Sequence, residues 1–324
     1  LRLLLSKMMS SVIAFWVVAQ AGEPVLAAAK GTTEAAYAAG GPSHVVRMTS
    51  NSECDRKGHL CDIWYPSDIS EGGPRPVILW ANGTADFPVE PNIYDYLLSH
   101  FASWGFVVIA TRDPRTGYGD TVLDSLAYLL RVANDRSSRL FNRVNFSGVG
   151  VAGHSQGATG ALNAMLKSKG RIMTTVAFQL PQQRWCSPRD LCVLTDDLKA
   201  ASFGSVFYVG GTRDFIISPD TQWVGSKLNS LSAYYEATPD SLVKAKGLVN
   251  AANHNDILGK PDCGSAELDV PLTCTRGIYG YLGLPTAWLV WQLQGSQEAG
   301  AAFHPQGGEF FSAPGWSGQV SSIP

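Results

Sequence analysis

Short runs of apolar, often β-branched residues recur along the chain between stretches whose apolar positions fall three and four apart. The runs His44 to Met48, Asp62 to Tyr65, Pro76 to Trp80, Phe106 to Thr111, Gly148 to Ala152, Ile172 to Phe178, Ser205 to Val209 and Gly247 to Asn250 predict strands. Several lack polar alternation, as strands covered on both faces do. Helical spacing predicts helices over Ile93 to Trp104, Thr121 to Val132, Gly157 to Lys167, Pro219 to Leu228 and Pro285 to Gln294, the last with proline in its first turn. Because strand and helix alternate, the pattern predicts the α/β class, a mostly parallel central sheet with helices on both faces. Ligands of such sheets sit beyond the carboxyl ends of the strands, so the residues that follow each strand are the ones to search for chemistry.

Composition narrows the classes. With 45% hydrophobic and 16% charged residues among 324, the chain can bury a large core. A net charge of -2 without a run of Lys and Arg excludes the electrostatic footprint of a nucleic-acid binder. At the start, Arg2 and Lys7 precede an apolar run from Met8 to Ala19, then Pro24 and the small-residue segment Val25 to Ala29. That order reads as a secretory signal peptide, and the run is shorter than the roughly 20 residues that span a bilayer. Residues 1–29 are therefore set apart from the fold, and a secreted or periplasmic protein with no stable membrane anchor after processing is expected. Residues 30–42, rich in Gly, Ala and Thr, read as a flexible lead-in to a single catalytic domain over 43–324, expected as a monomer.

The six cysteines fall into close pairs, Cys54 with Cys61, Cys186 with Cys192 and Cys263 with Cys274. None forms a C-x-x-C, and His59 is the one nearby histidine, so three local disulfides are expected rather than a zinc site. No metal and no cofactor are expected.

Gly153-His154-Ser155-Gln156-Gly157 follows an apolar strand and opens a helical stretch, the context of a nucleophile elbow. So sharp a turn needs small residues on either side, and it holds the serine at a helix N-terminus that favours developing negative charge. A serine hydroxyl needs a base, and in this arrangement the chain order is serine, acid, histidine. Two histidines follow Ser155: His304 lies in a Gly- and Pro-rich tail, while His254 comes just after an apolar strand and is preferred. His154 is expected to point away around the elbow as a packing residue. The acid candidates are Asp190, Asp196, Asp197, Asp214, Asp220, Glu236 and Asp240. Asp214 leads them because it ends Gly210-Gly211-Thr212-Arg213-Asp214, directly beyond a strand, whereas Asp220 suits a helix start. An oxyanion hole would take one N–H from Gln156 and one from the loop Trp80-Ala81-Asn82-Gly83-Thr84, with Thr84 as the choice. Asn82-Gly83 also reads as a simple turn. Two glycosylation sequons, at Asn82 and Asn145, are taken as incidental.

Together these residues resemble secreted bacterial α/β-hydrolases of the dienelactone-hydrolase and polyester-hydrolase (cutinase-like) group, over about Asp62 to Gln294. The resemblance rests on Pro76 to Thr84, Ala102 to Phe106, the elbow, Gly210 to Asp214 and His254. It implies the α/β-hydrolase fold, no cofactor, and cleavage of carboxylic esters, small or polymeric, through an acyl-enzyme. Gln156 stands where polyester hydrolases of the group usually carry Met. The first Trp after the strand that follows the elbow helix, Trp185, comes later than theirs. Set beside Cys186, Trp185 either returns over the cleft or packs on the surface. Two further readings of the same residues stay open: acyl transfer to an alcohol, and a catalytically silent binding module that keeps the fold.

Overall fold

The computed structural model describes residues 31–84, 90–186, 188, 191–221, 230–258 and 277–323. One sheet is built from β1 (Val45–Thr49), β2 (Cys61–Pro66), β3 (Arg75–Ala81), β4 (Val107–Thr111), β5 (Val144–His154), β6 (Thr174–Phe178), β7 (Ser205–Gly211), β8 (Val243–Val249) and β9 (Trp316–Ser321). Their spatial order is 1-2-4-3-5-6-7-8-9. The strands from β4 to β8 in that order pair parallel, and β1, β2 and β9 add antiparallel margins. The chain is thus an α/β protein with a mixed, mostly parallel sheet, as the alternating pattern implies.

Helices cover both faces. On one, α2 (Asp95–Ser103) contributes Leu97, Leu98 and Phe101, and α7 (Gly283–Gln294) contributes Leu284, Trp288 and Leu289. On the other, α3 (Asp120–Asn134) buries Leu126 and Leu129, and α4 (Gln156–Lys167) buries Ala158, Ala161, Leu162 and Met165. Two shorter helices, α5 (Thr195–Lys199) and α6 (Leu231–Ala237), bring Leu198, Leu231 and Tyr234 to that second face. The four-three-four spacing of Val122, Leu126, Leu129 and Ala133 on α3 is the stripe that a helix needs to lie on a sheet. Each such side chain taken fully out of water contributes about 1.5–3 kcal/mol.

Where the structure departs from the expected elements, particular contacts account for it. Within the lead-in, Thr33–Ala38 forms α1, capped by the Thr32 hydroxyl. The Glu309 carboxylate accepts from Thr33 N–H and Glu34 N–H, which docks that turn. α1 packs on α7, and so covers a helix whose buried residues run unbroken from Gly283 to Val290. An all-round apolar helix requires such cover. β8 starts at Val243, earlier than expected, because Lys244 and Lys246 masked its apolar run. Both ammonium groups are satisfied, Lys244 by the carbonyls of Tyr235 and Thr238 and Lys246 by Asp220. β9 was not foreseen at all: Trp316-Ser317-Gly318-Gln319-Val320-Ser321 offers little apolar alternation, and the strand rests on ladder bonds to β8, with a register shift between Lys246 and Leu248. Of the helix expected over Pro219 to Leu228, residues 222–229 lie outside the described residues, and Pro219 to Thr221 are not helical.

Disulfides join Cys54 to Cys61 and Cys186 to Cys192, as their spacing suggests. Cys263 and Cys274, like the expected signal peptide, lie outside the described residues. Among the described residues no helix is long and apolar enough to cross a membrane. Two disulfides are consistent with an extracellular or periplasmic protein.

Candidate active site

After β3 the chain goes to β4 on one side, and after β4 it returns to β5 on the other side of β3. Strand order reverses there, and at that point a parallel sheet opens a crevice at its carboxyl edge. Ala81 at the end of β3 pairs with Gly153 of β5, so the loop from Asn82 to Thr84 and the serine that follows β5 leave the sheet side by side.

Ser155 has φ 56° and ψ −126°, a conformation that L-residues rarely adopt. Such a backbone costs about 1–3 kcal/mol and persists only where its surroundings over-determine it. Here Ser155 N–H donates to Phe178 O at 3.0 Å, and Ser155 O accepts from Ala158 N–H at 2.9 Å. The two flanking glycines allow the turn to close. A Cβ on Gly153 would lie 2.3 Å from Gly157 O, and one on Gly157 would lie 2.1 Å from Ala81 O. Any side chain at either position would push α4 off the strand ends.

The hydroxyl has a base within reach. His254 Nε2 is 2.9 Å from Ser155 Oγ, and His254 Nδ1 is 2.6 Å from Asp214 Oδ2. A carboxylate only accepts, so Nδ1 carries the proton and Nε2 is left bare to accept from the serine. Asp214 is buried, and its Oδ1 also accepts from Ser218 N–H at 3.3 Å. β7 and β8 run parallel, and the loops beyond them are laced together: Ala251 N–H donates to Thr212 Oγ1 at 2.7 Å, and Arg213 N–H to Ala252 O at 2.9 Å. Asn253 N–H donates to Asp256 Oδ2 at 2.8 Å. The structure therefore brings together Ser155, Asp214 and His254 from beyond the ends of three parallel strands. His304 is not joined to them, and Asp220 pairs with Lys246 instead.

Gln156 is the first residue of α4, where the helix cannot pair its own N–H. Thr84 sits in the loop after β3 with its hydroxyl on Pro114 O at 3.1 Å. Asn82 anchors the same loop by donating to Thr111 O at 2.7 Å. Trp185 comes to the rim: its carbonyl accepts from Gln156 Nε2 at 3.1 Å, its indole N–H donates to Ile216 O at 2.9 Å, and Arg184 lies 5.2 Å over its ring. Trp185 is half exposed, beside the exposed Phe215 and Ile216 that follow Asp214. Trp185 thus contacts Gln156, the residue after Ser155, and still faces solvent.

His154 does not point away. It is buried, its ring centroid is 4.8 Å from that of His254, and its Nε2 lies 2.8 Å from His254 O. Burial, and then repulsion from a charged His254, hold its ring well below the ordinary imidazole value, so it stays neutral. Gln179 is also buried, with φ 50° just beyond β6, and its amide N–H groups donate to Asn253 O and to Tyr281 Oη. Sequence reasoning missed Gln179 and also Tyr94, whose hydroxyl lies 3.0 Å from His154 Nδ1. A polar residue directly after a parallel strand, as Gln179 is, was the available signal. Among the described residues no cluster of three or more His, Cys, Asp or Glu side chains has the arrangement of a metal site. The chain matches no protein-family model, and a search of curated proteins finds no match.

Proposed function

We propose that the protein is an exported serine carboxylic-ester hydrolase of the α/β-hydrolase fold. The observation that carries this reading is the unbroken chain of hydrogen bonds from Ser155 Oγ through His254 to Asp214, with the serine on a strained turn at a helix N-terminus. In this mechanism Ser155 Oγ attacks the ester carbonyl as His254 Nε2 takes its proton. Asp214 holds the imidazole in the required tautomer and stabilises its cation. The N–H groups of Gln156 and Thr84 receive the oxyanion, and the loss of one such donor typically lowers turnover by about 10² to 10³. His254 then returns the proton to the leaving alkoxide. Water, activated by the same base, releases the acid from the acyl-enzyme.

The half-exposed apolar rim of Trp185, Phe215 and Ile216 supports long or polymeric esters as substrates, in line with the resemblance to polyester hydrolases. The two disulfides support export. The test is turnover of a short-chain chromogenic ester and of an emulsified aliphatic polyester. Activity is expected to vanish in Ser155→Ala and His254→Ala and to survive in His304→Ala, and a fluorophosphonate is expected to label Ser155. Full activity in the Ser155 variant overturns the proposal.

A further inference from the structure

The hydrogen bonds around His154 fix the role of every atom in turn. The backbone carbonyl of His254 can only accept, so His154 Nε2 bears the proton and donates to it at 2.8 Å. His154 Nδ1 is then bare and must accept from the Tyr94 hydroxyl, 3.0 Å away. With its proton committed, Tyr94 Oη accepts the N–H of Gly83 at 2.9 Å. A one-way relay thus runs from the loop after β3, through two buried side chains, into the backbone of the residue that carries the base. Gln179 does the same one residue earlier in that backbone, by donating to Asn253 O. Two successive carbonyls of the His254 segment are therefore gripped from beneath by side chains at the ends of two adjacent strands, His154 closing β5 and Gln179 following β6.

We propose that His154 and Gln179 are positioning residues that set where the His254 imidazole stands relative to Ser155, and that Tyr94 couples this grip to the loop carrying Gly83 and Thr84. The role rests on the serine-hydrolase reading above. It explains why a buried polar ring occupies a place that packs against Tyr94 at 5.8 Å between centroids, where an apolar ring would fill the same space. It also requires His154 to be neutral: a second imidazolium beside His254 would oppose the charge that His254 gains each time it takes the serine proton. The two halves of the site, base and oxyanion loop, then move as one body. Neither can drift without breaking a buried hydrogen bond, which is costly where no water replaces it.

The experiment compares four variants in the full chain. His154→Phe removes both bonds of the ring, and His154→Gln keeps a donor near the Nε2 position. His154→Asn keeps an acceptor near the Nδ1 position, and Tyr94→Phe removes the hydroxyl alone. Ester turnover is read as kcat and KM separately. The downfield proton resonance of the His254 Nδ1–H···Asp214 bond is read by NMR and needs no turnover. A displacement near 1 Å at the base costs about 10²-fold. So His154→Phe and His154→Asn are expected to lose about that much in kcat with KM little changed, and to shift or broaden the resonance. His154→Gln is expected to recover most of both. Tyr94→Phe should lower kcat and leave the resonance in place. If His154→Phe does not fold, the Gln and Asn pair decides, by restoring and failing to restore the resonance. Wild-type kcat and an unmoved resonance in a folded His154→Phe or His154→Asn overturn the proposal. If the wild-type protein neither hydrolyses esters nor reacts with a fluorophosphonate, the function reading fails. The resonance still decides the positioning role.

Discussion

Replacing Gly157 by alanine separates the cost of a methyl group to the fold from its cost to the site. The added Cβ would lie 2.1 Å from Ala81 O and 2.5 Å from Asn82 O, where real Cβ contacts stay at or beyond 3.0 Å. The first turn of α4 and the loop after β3 must therefore part by about 1 Å, and the backbone on both sides resists. Overpacking of this kind costs about 1–3 kcal/mol. Alanine in place of glycine inside a helix returns about 1 kcal/mol. The net destabilisation is thus small, roughly 0–2 kcal/mol, and the protein should still fold. Activity should suffer more, because the separating segments carry the N–H groups of Gln156 and Thr84, and a misplacement near 1 Å is worth about 10²-fold. Urea unfolding gives the first quantity, and kcat on a short-chain chromogenic ester gives the second. Gly73→Ala, with nothing within 4 Å of its added Cβ, is the control expected to change neither. If Gly157→Ala keeps kcat within about threefold of the parent, the two segments do not together bind the oxyanion, and the mechanism is wrong at that step.

Asp214→Asn should leave the fold intact and lower kcat by about 10⁴-fold, the usual cost of presenting the histidine in the wrong tautomer; a loss below tenfold would remove Asp214 from the reaction. The buried His100 imidazole is pushed down to about 4 from 6.5 by burial, while its Nε2–H holds Tyr37 O. The folded state refuses a proton that the unfolded chain takes up, so this contribution is complete above about pH 6.5 and falls by up to about 3 kcal/mol as pH drops to about 4. Urea unfolding between pH 7 and pH 4.5 should therefore show a weaker acid dependence in His100→Gln, and an identical slope would contradict the assignment. Replacing Cys54 and Cys61 together by alanine opens a bridge between residues 7 apart. It should cost about 2–3 kcal/mol in thermal unfolding and leave kcat unchanged.

The strands legible in the sequence were those buried on both faces, such as Pro76 to Trp80 and Ser205 to Val209, because continuous burial forces continuous apolarity. Ser155 was legible because its turn demands glycines at fixed places, and Asp214 because it follows a strand end. The contacts that the sequence did not disclose work through the backbone. His154, Gln179 and Tyr94 act on carbonyls and an N–H, and a main-chain group leaves no mark on residue choice at its own position. Trp185 takes its place from Ile216 O, 31 residues along the chain, a pairing that no local pattern encodes. α1 was hidden for a related reason: six residues gain little as an isolated helix, and Glu309, far along the chain, stabilises their first turn.

The register shift between Lys246 and Leu248 lies where β8 meets β9, the last strand on that side of the sheet. Opposite it, Gly318 has φ 61° in the middle of β9. A margin bent and twisted in this way cannot present a straight ladder of free amides and carbonyls to the same margin of another molecule. The side chains on it are small or polar apart from Trp316, which is buried, and Val320. The irregularity that hid this strand from a periodicity search thus acts, at this one margin, against edge-to-edge pairing with another sheet.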